Sequence, residues 1–135
     1  NYINQNKINN QINFIKAKTT KDLASLYKNS LGLIYPSVDE GFGIPIIEAM
    51  NCSIPIIIPK NEICKEIGGK YSFYFIQNNI KSILEQLNYI INNKEEVKLR
   101  VLKNNDYVKK FSNKKQGEQL IELYQSLVYE HKKSW

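Results

Sequence analysis

Two carboxylates, Glu40 and Glu48, stand eight residues apart with Gly41 and Gly43 between them. Glycine has no Cβ, so Gly41 and Gly43 let a ligand come close to the backbone and let the loop use positive φ. The residues that follow read as a helix from Ile44 to Asn51, with Pro45 in its permissive first turn. The N–H groups of Gly43 and Ile44 then lie at the positive end of a helix dipole, free to receive an anion such as a diphosphate. Glu48 sits a little over one turn into the helix, where it can point back toward whatever the N-terminus holds. A carboxylate there repels phosphates unless it has a task of its own. Accepting two hydrogen bonds from the vicinal hydroxyls of a ribose is such a task.

Sites of this kind form beyond the carboxyl ends of parallel strands, and the surrounding pattern supplies the strands. Residues 31–35 are an apolar run cut off by Pro36, and residues 54–58 are a continuous apolar run of the type buried on both faces of a parallel sheet. Residues 12–15 are a further short run suited to a strand, and a last strand is expected near residues 72–76, after Gly68-Gly69. Thr19 or Thr20 offers an N-cap for a helix with Leu23, Leu26 and Tyr27 on one face. Residues 61–67 read as a short segment leading to Gly68-Gly69. From Ile80 to Ile91 apolar residues recur at helical spacing, and after a polar break at Asn92-Asn93 they resume with Val97, Val101, Leu102 and Val108. A last helix is expected over about residues 114–130. Strands alternating with helices specify an α/β fold, a Rossmann-like parallel sheet with right-handed crossovers and helices on both faces. Residues 1–11 read as a linker or partial upstream element, residues 12–131 as the domain, and residues 132–135 as a tail.

Composition narrows the class. The 135 residues are 42% hydrophobic and 24% charged, which fits one folded domain and excludes a disordered tail. No apolar run approaches the roughly 20 residues that cross a bilayer. The chain opens at Asn1 without a leader pattern, so a piece of something longer is expected. Cys52 and Cys64 make neither a disulfide framework nor a metal cluster; they read as small hydrophobes in a reducing, cytoplasmic compartment. The net charge of +6 raises a nucleic-acid partner, but among nineteen basic residues Arg100 is the only arginine, and the lysines are scattered. Charge therefore points at most to weak peripheral attraction to an anionic membrane surface through Lys109, Lys110, Lys114 and Lys115. Lys16 and Lys18 read as solvated lysines, Tyr27, Tyr35, Tyr71 and Tyr74 as core and sheet-edge packing, and His131 has no assigned role.

The block Glu40-Gly41-Phe42-Gly43-Ile44-Pro45-Ile46-Ile47-Glu48-Ala49-Met50 is similar to the E-x7-E signature of retaining glycosyltransferases of the GT-B fold, glycosyltransferase family 4 in particular. Cys52 and Ile54-Pro55-Ile56 continue the match. Residues 23–27 resemble the helix before the first of these strands, and Phe111-Ser112 with residues 118–124 resembles the family's last helix. Glu66-Ile67-Gly68 resembles its Glu-Val-Val-Gly, although Glu66 reads equally as a helix-surface residue. The resemblance covers about residues 12–127 and implies a donor site for a UDP- or GDP-linked sugar, with no cofactor and no metal. By position, Glu48 would hold the ribose hydroxyls and the backbone at Gly43 and Ile44 would meet the diphosphate. Gly41 and Phe42 complete the donor-binding stretch. Glu40 would be the catalytic residue, touching the sugar's hydroxyls near the anomeric carbon in a front-face, ion-pair-like substitution. The sugar would pass to a glycan, lipid-linked or protein acceptor held by an N-terminal domain outside this sequence.

Departures from the family pattern are as informative. Lys16 and Ser53 stand where glycine is usual, Glu62-Ile63 where a small pair is usual, and Asn113 where an aromatic is usual. The first βα units, with the Arg/Lys pair that clamps the diphosphate, are not in the sequence. The chain alone is therefore expected to be inactive. A nucleotide-sugar-binding or scaffold domain without catalysis is the alternative of a different class. A basic membrane- or nucleic-acid-binding module is the third.

Overall fold

The computed structural model describes residues 2–37 and 41–133. Along the chain run α1 (Tyr2–Gln5), α2 (Thr20–Lys28), β1 (Leu33–Ile34), α3 (Ile44–Asn51), β2 (Ile56–Pro59), α4 (Glu62–Gly68), β3 (Phe73–Phe75), α5 (Ile80–Asn92), α6 (Lys94–Val108) and α7 (Asn113–Lys133). Single 3-10 turns lie at Asn9–Gln11 and Lys109–Phe111. The three strands form one parallel sheet in the order β1-β2-β3, with Leu33 opposite Ile56 and Ile57 opposite Phe73.

Strand β2 is buried at every residue, and successive side chains feed two different cores. Ile56 and Ile58 join Ile46, Ala49 and Met50 of α3, Cys64 and Ile67 of α4, and Val108. Ile57 joins Phe73, Phe75, Val97 and Val101 on the other face. A strand apolar on both faces reads as an unbroken run rather than an alternating one, which is why residues 54–58 were legible as central. Helices thus cover both faces of the sheet, as expected of the α/β fold.

The sole arginine is structural. Arg100 donates from Nε to the Tyr71 carbonyl at 3.0 Å and from Nη2 to the Ser72 carbonyl at 2.7 Å, and its guanidinium lies 3.9 Å over the Phe73 ring. It ties α6 to the entry of β3.

Several local expectations are corrected. Residues 12–15 are not a strand: they pair with none of the three strands, and Phe14 and Ile15 are 88% and 65% exposed. A strand exists only against a neighbour that takes its N–H and C=O groups, and a four-residue run cannot supply one. The short segment over residues 61–67 is mostly helix α4, started by Asn61, whose side chain accepts from the Cys64 N–H at 2.8 Å. Short helical turns occupy part of residues 2–11. β1 is shorter than the apolar run, although the Tyr35 N–H still donates to the Ile57 carbonyl at 2.9 Å. α7 runs on to Lys133 with Leu120, Leu123, Tyr124 and Leu127 exposed. Among the described residues no helix is long and apolar enough to cross a membrane.

Candidate functional site

Each strand's carboxyl end leads into a helix N-terminus: β1 to α3, β2 to α4, β3 to α5. Two of these starts are closed by the chain itself. Asn61 caps α4, and the Asn79 side chain accepts from the Ser82 N–H of α5 at 3.0 Å. The third differs. α3 starts from Gly43 in the left-handed conformation, φ 62° and ψ 47°, with proline in its first turn and no acidic residue there. Glycine has no side chain to cap with, and Pro45 has no N–H to satisfy.

Gly43 is required twice over. Its φ is positive, and a Cβ there would lie 3.0 Å from Ile46 Cδ1 and 3.3 Å from Ile67 Cδ1. Gly41 is different: it is exposed, and a Cβ would meet nothing within 4 Å, so packing does not demand a glycine. Phe42 and Ile44 are 52% and 61% exposed, and Phe42 meets Phe111 edge-on at 5.9 Å between centroids. Gly41, Phe42 and Ile44 therefore present an open surface beside the buried Gly43 at the helix start. Residues 38–40, Glu40 among them, lie outside the described residues.

Glu48 is half-buried on the next turn of α3. Its Oε2 accepts from the Tyr27 hydroxyl of α2 at 3.3 Å. Burial, reinforced by the Glu48 charge, pushes the Tyr27 hydroxyl up to about 12, so it stays a neutral donor at ordinary pH. The Cys52 thiol, 4.0 Å from the Ala24 carbonyl, is a second link between α3 and α2. The link to Glu48 escaped the sequence reading, which took Tyr27 as packing alone. A buried tyrosine needs a partner for its hydroxyl, and that was the available signal.

The departures also acquire places. Ser53 holds φ 61°, the left-handed conformation for which glycine is the usual choice, and its Oγ accepts from Asn105 Nδ2 at 2.7 Å. Glu62 and Ile63 are exposed in the first turn of α4, Glu62 paired with Lys65 at 2.6 Å. Glu66 is exposed on the same helix, and its carbonyl accepts from the Tyr107 hydroxyl at 2.5 Å. Lys16 and Lys18 are exposed. Lys109 pairs with Asp106 at 2.6 Å, Lys115 with Glu118 at 3.2 Å, and Lys110 lies 3.9 Å over the Tyr107 ring. Cys64 is buried and Cys52 half-buried, and neither is in a disulfide. Among the described residues no three His, Cys, Asp or Glu side chains gather into a metal-holding group. An apolar groove of about 640 Å³, lined by residues such as Ile34, Ile57, Ile90 and Val101, lies away from the α3 start and carries none of this chemistry.

Residues 1–107 match the family described as Glycosyl transferases group 1. The O-antigen chain mannosyltransferase RfbU of Salmonella typhimurium is 31% identical over 112 residues, which are 82% of this chain and 31% of that protein. The serotype-specific mannosyltransferase WbdA of Escherichia coli is 36% identical over 69 residues, 51% of this chain and 8% of that protein. In structure, sucrose-phosphate synthase from Thermosynechococcus elongatus matches 95% of this chain and 33% of its own, with a TM-score of 0.81 at 18% identity, a likeness of fold. The chain thus spans about a third or less of each of these proteins. It belongs to the glycosyl transferases group 1 family.

Proposed function

We propose that this chain is the donor-binding, C-terminal part of a retaining, metal-independent glycosyltransferase of family 4, inactive alone and active when joined to an acceptor-binding N-terminal domain. The observation that carries the reading is the start of α3: a left-handed Gly43 without a cap, and a half-buried Glu48 one turn on. The backbone N–H groups at Gly43 and Ile44 receive the diphosphate of a UDP- or GDP-linked sugar, and Glu48 accepts from the ribose hydroxyls. Gly41 and Phe42 border the sugar, and Glu40 contacts its hydroxyls near the anomeric carbon. The bond from that carbon to the diphosphate oxygen breaks while one to the acceptor oxygen forms on the same face, and the acceptor's hydroxyl proton passes to the departing diphosphate. Charge building on the departing diphosphate is offset by the helix N-terminus, and one such donor is worth ~3 kcal/mol of barrier. A mannosyl donor suits the names of the relatives. The acceptor is a glycan, a lipid-linked glycan or a protein. The reading includes no nucleic-acid partner, and places the protein in the cytoplasm with at most weak attachment to the membrane surface.

A second reading, a nucleotide-sugar-binding or scaffold domain without catalysis, is favoured by Glu62 and Ile63. They put two exposed, bulky side chains at the α4 start where the resemblance expects small ones. Thermal unfolding with UDP, GDP, ADP and their common sugars tests the donor site, with Glu48→Ala as control. A ligand at 100 times its dissociation constant adds ~2.7 kcal/mol to stability. A base-selective shift lost in Glu48→Ala is expected; no shift with any nucleotide, in the chain alone and again when it is joined to its N-terminal part with the cationic clamp, overturns the donor site. Sugar transfer by the chain joined to its N-terminal part, abolished by Glu40→Ala, separates the enzyme from the scaffold.

A further inference from the structure

Glu48 is carried on α3, yet one of its oxygens is engaged from a different helix, 21 residues earlier in the chain. We propose that Tyr27 is a positioning residue for Glu48, its hydroxyl fixing Oε2 so that the carboxylate is held ready for the two ribose hydroxyls. The inference rests on the donor-site reading above and concerns a residue outside the Glu40–Met50 block.

Three features carry it. The first is chemical fit. A carboxylate has about four acceptor positions, so one bond from Tyr27 leaves enough for a vicinal diol. Because that bond restrains an otherwise mobile side chain, less freedom is lost when ribose binds. The second is what the hydroxyl adds to the ring. Tyr27 packs against the core formed by α3, α4 and β2, a task phenylalanine performs as well, and the hydroxyl partner among the described residues is Glu48. The third is sign. A neutral hydroxyl donates to Glu48 without neutralising it, whereas a lysine there would draw the carboxylate into an ion pair and compete with the diol. Raised to about 12, the Tyr27 hydroxyl keeps that role across the physiological range.

The test is calorimetric titration of the chain joined to its N-terminal part with GDP, UDP and their 2′-deoxy counterparts. Tyr27→Phe is expected to weaken the ribonucleotide about fivefold, the effect of one hydrogen bond, and to leave the 2′-deoxy nucleotide nearly unchanged. Cys52→Ala removes the thiol's link to α2 while keeping the backbone N–H that Cys52 donates to the Glu48 carbonyl, and is expected to leave both affinities as they were. If Tyr27→Phe keeps the full preference for ribose while Glu48→Gln loses it, Tyr27 has no positioning role and the donor site stands. If Cys52→Ala weakens ribonucleotide binding as much as Tyr27→Phe, the tyrosine acts only by tying helices together and the proposal fails. Binding with no preference for ribose in the unaltered joined protein, or no binding of any of these nucleotides by it, overturns the donor-site reading itself.

Discussion

Helix α4 begins on Asn61, whose side chain accepts from the Cys64 N–H, and carries Glu62 in its first turn. Helix α3, one strand earlier, begins on Gly43, which has no side chain, and carries no acid in its first turn. Both helices follow a parallel strand of the same sheet and pack on the same core. The difference lies in who satisfies the helix dipole. In α4 the chain does so itself, with a cap worth about 1 kcal/mol and a carboxylate at the positive end. In α3 no side chain among the described residues makes that contribution, and in the proposed site the donor's diphosphate would supply it. Stability alone favours a cap at both places, and the proposed donor site accounts for its absence at α3.

The largest way to break this contrast is to deny α3 its glycine. Gly43→Ala places a Cβ against Ile46 and Ile67 in a left-handed conformation, and is expected to cost roughly 2–4 kcal/mol in urea unfolding. Gly43→Asn keeps the crowding but tolerates positive φ, so it should cost less than alanine. Its carboxamide would also make α3 resemble α4, and nucleotide binding should fall. Asn61→Ala is the mirror experiment. It should cost about 1 kcal/mol and leave nucleotide binding alone. Equal losses of binding in Asn61→Ala and Gly43→Asn would erase the distinction between the two starts.

The sequence was unequally legible across these same helices. α3 could be placed from Ile44 to Asn51 because glycine, proline and a dense apolar run mark it locally. α4 was missed: it is only seven residues long, and Asn61 serves a turn as readily as a cap. Gly41 and Gly43 look alike in the sequence, yet only Gly43 needs to be glycine, since φ and the approach of Ile67 are set by folding. Residues 12–15 carry strand chemistry, but a strand is made by its neighbour, and the neighbour is a non-local fact. The Tyr27–Glu48 bond joins two helices across 21 residues, a separation at which periodicity says nothing.

Alkaline pH distinguishes the two helices in a second way. Tyr27 beside α3 and Tyr74 beside α4, whose hydroxyl donates to the Gly69 carbonyl, are each raised from 10.0 to about 12, chiefly by burial. A folded value above the unfolded one means the neutral form is favoured by folding. That stability is fully present below pH 10 and is lost as pH rises from 10 toward 12. Unfolding free energy measured over this window should fall, and the fall should be shallower in Tyr27→Phe and in Tyr74→Phe. Only Tyr27→Phe should also change nucleotide binding near neutrality. A decline equally steep in both variants would remove burial of these hydroxyls as its cause.

The smallest effect is at the far ends of the helices. α4 closes on Gly69 at φ 62°, where a Cβ would lie 2.8 Å from the Tyr107 ring, so glycine is enforced. Just past α3 the same left-handed turn falls on Ser53, φ 61°, and Asn105 Nδ2 donates to its Oγ. A serine there costs roughly 1 kcal/mol of backbone strain, and one exposed hydrogen bond offsets about half to all of it. Ser53→Gly should therefore change stability by no more than about 0.5 kcal/mol, since relief of strain and loss of the bond nearly cancel. The informative quantity is the coupling. Asn105→Ala should destabilise the chain when Ser53 is present and do nothing in Ser53→Gly, giving an interaction energy of roughly 0.5–1 kcal/mol in a double-mutant cycle. If the two changes add instead, Asn105 does not support the turn. Ser53 then stands as an uncompensated departure from glycine at the end of the helix that carries Glu48.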